Sequence, residues 1–290
     1  MTEFLQLVIS GLAVGCIYGL VALGFVLVYK ATELFNFAHG DLMMVGAFLI
    51  VTTVVTMGLP MWLSALLVIA AAALMGIVIQ FVLVRPMLGQ PLLAVVMVTI
   101  GLSLIIRAAM LIIYGPIERS FPSPIPRRTY IWGGVRVSLS DLIIIGLTVL
   151  CLLLFAIFFK RSRLGLEMRA TAEHFEASVL SGINANKVFT IALGLGTILA
   201  ALGGMFLANL GVVNLGIGEI GLLAFPAIVI GGLQSIHGAV IGGLIVGVVE
   251  KLGAGYLGND VKYVVVYAVL LLVLLVRPYG LFGEREIVRV

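Results

Sequence analysis

Long runs of apolar residues, separated by short polar stretches, make up most of this chain. Leu63–Val84 and Leu92–Ile113 are examples with few polar interruptions, and each exceeds the roughly 20 residues that a helix needs to cross a bilayer. The pattern predicts helices near residues 5–29, 41–57, 62–84, 92–113, 139–159, 187–210 and 262–276. The Gly-rich stretch 218–250 is too long for one ordinary span. Because "GGLQSIHGA" (231–239) interrupts it, we expect two short helices that meet at a break.

The composition agrees with this pattern. Hydrophobic residues make up 62%, charged residues 10%, and the mean hydropathy is +1.28, which excludes an ordinary soluble domain. A transmembrane barrel would show alternating segments of roughly ten residues, and the sequence has none. We therefore predict an all-α fold, with one transmembrane domain over residues 1–290 and about 8–9 membrane segments, some broken or re-entrant. The net charge of +4 lies mostly at loop ends and does not indicate a nucleic-acid partner.

The distribution of Lys and Arg predicts the orientation, because these residues are enriched on the cytoplasmic side of membrane spans. The first apolar run is longer than a signal-peptide core of about 7–15 residues, so we expect a retained first helix. With the N-terminus outside and the C-terminus inside, ten basic residues fall inside and six outside. The inside set is Lys30, Arg85, Lys160, Arg161, Arg163, Arg169, Lys187, Arg277, Arg285 and Arg289; the outside set is Arg119, Arg127, Arg128, Arg136, Lys251 and Lys262. The Pro-rich loop 114–138 is then an extended extracytoplasmic segment.

Glycines recur inside the predicted spans, most regularly at Gly11, Gly15 and Gly19. The spacing of four places them on one helix face, where small residues allow helices to approach closely. Packing within the bundle, a dimer contact and a helix that changes shape are all compatible with this face.

Charged residues inside the spans are also open to two interpretations, since an intramembrane charge faces either a partner or a cavity. Arg107 can extend its side chain to the membrane surface or serve a function. Glu250 and Lys251 stand at a predicted helix end, where they can form an interfacial pair.

The segment 160–187 is the one long polar stretch that the charge rule places inside. Its apolar positions recur every three or four residues and are Met168, Ala172, Phe175 and Val179. This spacing predicts an amphipathic helix over 170–180 that stops at Gly182. The helix either rests on the lipid headgroups or docks a cytosolic partner, with Phe175 and Val179 as apolar anchors. Its polar rim is Arg169, Glu173 and Glu176.

Two polar breaks, "FAHGD" (37–41) and "SIHGA" (235–239), share a His-Gly pair and each precede a Gly-rich apolar helix. An internal duplication is one explanation. Broken helices expose backbone groups that can line a path for a polar solute. The candidate pathway residues are Asn36, His39, Gly40, Gly231, Gly232, Gln234 and His237. Alternatively, each histidine satisfies a backbone carbonyl. We expect Asp41 to cap the next helix, and three scattered histidines do not indicate a metal site.

Several stretches resemble a known family. "EASVLSG" (176–182) has the Glu-Ala-small, three residues, Gly spacing of the cytoplasmic loop of ABC importer permeases, without the later Ile-x-Leu-Pro. The wider passage "RATAEHFEASVLSGINANKV" is similar to the LivH type of branched-chain amino acid permease. So are "FNFAHGDLMMVGAF", "AFPAIVIGGLQSIHGAVIGGLIVGVVE" and "VRPYGLFG". Together these stretches extend over essentially the whole chain.

The resemblance implies a permease subunit in the bacterial inner membrane that moves branched-chain or related small hydrophobic amino acids by alternating access. The implied partners are a homologous permease subunit, two cytosolic ATPase subunits, a periplasmic binding protein and the lipid bilayer. A heterodimer of permeases is favoured, although Gly-rich faces also allow a homodimer. Coupling to the ATPases is placed on Arg169, Glu173, Phe175, Glu176, Ala177, Val179 and Gly182.

The chain has no GxxxxGK[ST] phosphate loop, so we expect ATP and Mg²⁺ to be bound by the partner subunits. No cofactor and no enzymatic activity are expected for this chain itself. The alternatives are a related ABC permease for urea, short amides or aromatic acids, and an ATP-independent secondary transporter or channel. An embedded enzyme is disfavoured because no catalytic cluster is recognisable.

Overall fold

The computed structural model describes residues 2–123, 125–126 and 128–283. Arg127, Arg285 and Arg289, which contribute to the predicted charge bias, lie outside the described residues. Within these ranges the chain is a bundle of α-helices with four short strands near one end.

The described residues form thirteen α-helices, and the seven with predicted bounds begin and end close to the predicted positions. Their bounds are α1 (Thr2–Thr32), α2 (His39–Val51), α3 (Met61–Ile79), α4 (Arg85–Met87), α5 (Leu92–Tyr114), α6 (Leu139–Arg161), α7 (Arg163–Glu173), α8 (Phe175–Leu180), α9 (Ala185–Leu210), α10 (Ile217–Leu222), α11 (Ala224–Gly231), α12 (Ile236–Leu257) and α13 (Lys262–Val276). α2 and α3 each continue into a π-helical turn, Thr52–Thr56 and Gln80–Val84. Seven helical segments of the described chain are long and apolar enough to cross a membrane, and two shorter apolar segments, Ile217–Gly231 and Lys262–Val276, accompany them. The predicted all-α polytopic fold is confirmed.

Hydropathy alone does not decide which helix is central. The most apolar 18-residue stretches of α1 and α5 have the same mean hydropathy of 2.4. In α1, however, 94% of that stretch is buried, against 11% in α5. The difference lies in side-chain size. α1 carries Gly11, Gly15, Gly19 and Gly24, which let neighbours approach its backbone, whereas α5 presents Leu and Ile side chains outward, as a lipid-facing helix does.

The regular glycine face of α1 packs against α12. A Cβ atom on Gly11, Gly15 or Gly19 would lie 2.7 to 3.3 Å from backbone atoms of Val248, Leu244 or Val240, respectively. The residue numbers of the α12 partners fall from 248 to 240 as those of the α1 glycines rise from 11 to 19, so the two helices are antiparallel. Of the three interpretations left open by the sequence, packing within the bundle is the one that the structure confirms.

Two predicted elements need correction. The break predicted within 231–239 is confirmed at 232–235, but the flanking helices are not two short ones: α10 and α11 precede the break, and α12 then runs for 22 residues. The single helix predicted over 170–180 is also wrong. His174 adopts φ −146°, which no helix accommodates, and separates α7 from α8. Its neighbours are individually helix-compatible, so this interruption cannot be predicted from the residues alone.

Short strands organise the loop 114–138, the predicted extended segment. The strands are β1 (Arg119–Ser120), β2 (Thr129–Trp132), β3 (Val135–Ser138) and, after α9, β4 (Val212–Val213). β2 and β3 form an antiparallel hairpin, and β1 pairs with β4. The hairpin contacts the start of α1, since Gly134 lies beside Thr2. We call this the hairpin end of the bundle; α7 and α8 lie at the other end, which we call the docking end.

Candidate functional site

The first break places the start of α2 well inside the bundle. After α1 the chain turns at Glu33, whose φ is +56°, and its N–H donates to the Tyr29 carbonyl. The ring of Phe35 then lies 4.6 Å from that of Tyr29. When α2 begins, the His39 ring is beside Val21, eleven residues before the end of α1. That separation is about 16 Å along a helix, so residues 33–38 run back along α1 and α2 starts at depth.

Asn36 and His39 hold this break in shape. The Asn36 Oδ1 atom accepts a hydrogen bond from the Ala38 N–H at 3.1 Å. The His39 Nε2 atom lies 3.1 Å from the Val21 carbonyl oxygen, and its ring meets Phe25 edge-on at 5.6 Å. Only 2% of His39 is exposed. The structure thus gives both residues a structural task, while their predicted contact with solute stays a prediction.

The predicted cap by Asp41 is corrected. Helix α2 begins at His39 with Ala38 as its N-cap, and no side chain makes a capping hydrogen bond there. Asp41 lies in the first turn, where its charge still suits the helix dipole. Its carboxylate instead accepts hydrogen bonds from two residues of α5: Ser103 donates to Oδ2, and Arg107 Nε donates to Oδ1 at 2.7 Å.

Arg107 joins Asp41 to a second carboxylate. Its Nη1 atom lies 3.4 Å from Glu219 Oε1 on α10. Exposure increases across the row, from 1% for the Asp41 side chain to 31% for Arg107 and 71% for Glu219. We call Asp41, Ser103, Arg107 and Glu219 the charge cluster. It leads from the packed interior to an open surface between α2, α5 and α10.

The charge cluster lies below the end of the bundle. Arg107 is seven residues before the last residue of α5, Tyr114, which corresponds to about 10 Å of helix. Its guanidinium turns inward to Asp41, so it does not extend to the membrane surface. Close backbone packing sets this geometry: a Cβ on Gly40 would lie 2.5 Å from the Gly218 carbonyl oxygen. The sequence analysis did not select Ser103 or Glu219. The signal that could have found Glu219 is its charge within an apolar segment, a property that it shares with Asp41 and Arg107.

The docking segment 160–187 is held to the bundle by Arg169. Its guanidinium donates to the Phe159 and Lys160 carbonyls at the end of α6, and its carbon lies 5.4 Å from the Phe159 ring centre. Arg169 is therefore an internal link rather than part of an outer rim. In α8, Phe175 stacks on Phe189 of α9 at 6.1 Å and remains 50% exposed.

The outer surface of α8 is apolar and open. Val179 is exposed and Leu180, which the sequence analysis did not select, is 89% exposed. Glu173, Glu176 and Ala177 are exposed beside them. Gly182 has φ +87° and its N–H donates to the Val179 carbonyl, which confirms the predicted helix stop.

The second break brings together residues that were predicted for different tasks. Gly231 and Gly238 press against each other's backbone, and Gly232 has φ +108°. Gln234 and His237 are exposed and line a cavity of 640 Å³ at the docking end, together with Arg169. We call it the basic cavity. Asn36 and His39 do not line it, so the seven candidate pathway residues do not form one surface.

The expected pair of Glu250 and Lys251 is not formed. Glu250 turns inward, where Tyr18 Oη donates to its Oε2 at 2.6 Å and Lys262 Nζ lies 3.6 Å from Oε1. Burial of Tyr18 in the core explains this choice, because a buried hydroxyl requires a partner. Among the described residues no group of three or more His, Cys, Asp or Glu is arranged to hold a metal ion.

Broken helices that bring paired charges into an apolar bundle are typical of solute permeases, and the fold and charge cluster place the molecule in that class. More particularly, the chain belongs to the family described as branched-chain amino acid transport system / permease component, whose model matches residues 7–274.

Two named relatives agree with this family. The high-affinity branched-chain amino acid transport system permease protein BraD of Pseudomonas aeruginosa is 36% identical, covering 99% of this chain and 98% of its own length. LivH of Escherichia coli K12, described in the same words, is 35% identical with the same coverage. Among solved structures, a chain of PsaBC from Streptococcus pneumoniae in complex with Fab matches 94% of this chain and 91% of its own. Its TM-score of 0.49 and identity of 13% are too low to carry an argument.

Proposed function

We propose that this chain is the transmembrane subunit of an ATP-driven importer that moves branched-chain amino acids across the bacterial inner membrane. Membership of the permease family and the descriptions of BraD and LivH support the substrate class. The exposed apolar surface of α8 at the docking end is the main support for the proposal that ATP drives transport. Together with the absence of a phosphate loop in the sequence, it favours a motor on a separate subunit.

The docking segment is built to transmit force. Phe175, Val179 and Leu180 present apolar area to a partner, while the stack of Phe175 on Phe189 connects α8 to α9. Arg169 connects α7 to the end of α6. A displacement of α8 by a closing ATPase dimer therefore reaches two long helices through specific contacts. Such links couple ATP binding at one site to opening of the pathway at another.

The charge cluster supplies the polar lining of the pathway. An amino acid crosses as a zwitterion, so a carboxylate and an ammonium group both need partners inside the membrane. Arg107 and Glu219 offer one of each sign, and both reach the open surface between α2, α5 and α10. Asp41 holds Arg107 in place from behind. The solute passes this surface, where a second permease subunit completes the walls.

The complete importer contains a homologous permease subunit, two ATPase subunits that bind ATP and Mg²⁺, and a periplasmic binding protein. The N-terminus and the hairpin end face the periplasm, and the docking end faces the cytoplasm. The bias of ten to six in basic residues supports this orientation. The binding protein selects most of the substrate, which leaves urea, short amides and aromatic acids as competing solutes to test.

The decisive experiment is uptake of radiolabelled leucine into proteoliposomes that contain this chain with its ATPase, sister permease and binding protein. We expect uptake that requires ATP inside and is inhibited by excess isoleucine or valine, but not by urea or benzoate. Uptake driven by an ion gradient in the absence of the ATPase would refute the ATP-driven assignment. Strong inhibition by urea or benzoate would refute the substrate class.

The docking surface is tested by Glu176→Gln and Gly182→Ala. We expect both variants to assemble normally but to lose most coupling between ATP hydrolysis and leucine uptake, because one changes the α8 surface and the other strains its end. Glu118→Gln at the hairpin end and Gly89→Ala, whose glycine also has positive φ in open space, are the matched controls. Normal stimulated hydrolysis and uptake in both test variants would contradict the assignment.

A further inference from the structure

The basic cavity lies where four elements meet at the docking end. Its walls come from the last turn of α1, the end of α6, the middle of α7 and the start of α12. Its volume of 640 Å³ falls within the range of about 300–1,000 Å³ that is usual for small-molecule sites. The polar lining residues used below are Lys30, Lys160, Arg169 and His237.

Three of the four elements around the cavity contribute a basic side chain: Lys30 from α1, Lys160 from α6 and Arg169 from α7. Lys30 and Lys160 make no ion pair within the described chain, and none of the described lining residues is acidic. The Arg169 guanidinium also faces the cavity from α7, although its hydrogen bonds go to carbonyl oxygens. Glu167, two residues before Arg169, pairs with Lys187 instead. Among described residues, therefore, no carboxylate lies within ion-pair distance of these groups.

Helix dipoles explain only part of this charge. Lys30 and Lys160 stand in the last turns of α1 and α6, where a cation is favourable. The start of α12 also opens into the cavity, with Ser235 as its N-cap and His237 in its first turn. A helix N-terminus carries partial positive charge and disfavours neighbouring cations. Solvent screens part of this repulsion, since Lys160 is exposed, but an anion between the lysines and the α12 N-terminus is favoured by all three groups.

The remaining walls are apolar. Phe155, Ala156 and Phe159 of α6 and Ile236 of α12 line the cavity. The same helix exposes Leu153, Leu154 and Ile157 on its surface, as a lipid-facing helix does. A ligand that fits both parts has an anionic head for the basic groups and a hydrocarbon tail for α6. Basic pockets between transmembrane helices near the cytoplasmic side bind anionic phospholipid head groups in this way.

We propose that the basic cavity binds the phosphate of one anionic phospholipid, such as phosphatidylglycerol, with an acyl chain along α6. Lys30, Lys160 and the first turn of α12 hold the phosphate. Arg169 lies at the boundary between this lipid and the docking segment, so an occupied site stiffens the connection of α7 to α6. The proposal is independent of which amino acid the permease moves.

Lipid titration of the purified full chain, read by native mass spectrometry, tests the site. The probes are phosphatidylglycerol and phosphatidylcholine with identical acyl chains. We expect the wild type to bind at least one phosphatidylglycerol more tightly than phosphatidylcholine. Lys30→Gln with Lys160→Gln should weaken that binding about tenfold or more, because each lost charge weakens an anionic-lipid contact several-fold. The double variant Arg85→Gln with Arg163→Gln removes two exposed charges outside the cavity lining and should bind like the wild type.

A second variant changes the volume and keeps the charge. Ala156 is exposed on α6, so Ala156→Trp should fold normally, fill the apolar wall and displace phosphatidylglycerol. Equal binding of the two lipids by the wild type, or equal losses in both double variants, would overturn the proposal in favour of diffuse surface charge. Retained binding in Ala156→Trp would overturn the placement. Displacement of the lipid by millimolar ATP or glycerol phosphate would assign the cavity to a soluble phosphate instead.

Discussion

The two breaks of this molecule share the letters His-Gly, yet the structure uses them differently. In both, the glycine allows two backbones to touch: Gly40 meets α10, and Gly238 meets Gly231. The histidines diverge, because His39 is buried against the Val21 carbonyl whereas His237 is exposed in the basic cavity. The comparison teaches that glycine in such a motif reports helix contact, while the role of the histidine depends on what the fold places beside it.

The residue after each glycine extends the difference. At the first break it is Asp41, which anchors Arg107, and at the second it is Ala239, which is fully buried in the core. An internal duplication would explain the shared His-Gly pair, but not the different side-chain contacts of the two breaks. The first break holds paired charges between helices, and the second forms one wall of a cavity at the docking end.

Removal of the carboxylate at the first break should have the largest effect. Asp41→Ala removes the acceptor of two hydrogen bonds, from Ser103 and Arg107, and a hydrogen bond to a charged group is worth about 1.5–3 kcal/mol. We expect a large fall in the thermal unfolding midpoint in detergent and no leucine uptake. Ala239→Ser, the corresponding position of the second break, introduces a small buried hydroxyl and should cost less; an equal loss would erase the distinction between the breaks.

The glycines should behave alike, which makes them the shared element of the comparison. Gly40→Ala and Gly238→Ala each place a Cβ against backbone atoms, and such overpacking typically costs about 1–3 kcal/mol. The unfolding midpoint of each variant measures this loss. Gly101→Ala in α5 and Gly146→Ala in α6 are matched controls, since a Cβ at either position meets nothing within 4 Å. A wild-type midpoint in either test variant contradicts close contact at that break.

The histidines should separate the two breaks. His39→Leu removes the hydrogen bond to the Val21 carbonyl and should destabilise the bundle by about 1 kcal/mol. His237→Leu changes an exposed side chain and should stay within about 0.5 kcal/mol of the wild type. Thermal unfolding of the two variants in the same detergent gives the comparison directly. Equal shifts for both would show that the rings serve the same purpose.

The sequence was most informative where chemistry and spacing repeat. Six of the seven membrane-length helices, the four-residue glycine period of α1 and the Gly182 helix stop could all be predicted, because each is a local property of the chain. The interruption at His174 could not, since it depends on how α8 stacks on α9 through Phe175 and Phe189. The helix start at depth was also hidden, because residues 33–38 gain their place from contacts with Tyr29 and Thr99.

The predictions for Asp41 and Glu250 were wrong because the partners of both side chains are distant in sequence. Asp41 looked like a cap because its neighbours in sequence are a helix start, whereas its carboxylate partners are 62 and 66 residues away. Glu250 likewise turns from Lys251 to Tyr18, at a separation of 232 residues. Polar residues in apolar helices can be recognised from the sequence, but their partners depend on which helices pack together.

Little effect on stability is expected at Glu219, and this residue tests whether the first break contributes to transport at all. Its side chain is 71% exposed and 3.4 Å from Arg107, and exposed ion pairs contribute at most about 1 kcal/mol. Glu219→Gln should therefore unfold close to the wild-type temperature, because Arg107 keeps Asp41. Leucine uptake should nevertheless fall severalfold, since the solute ammonium loses its carboxylate on the proposed pathway. Glu118→Gln, an exposed glutamate bonded to Asn214 at the hairpin end, should leave uptake unchanged. Full uptake by Glu219→Gln would reduce the charge cluster to a structural clamp on α2 and move the search for the pathway to another face.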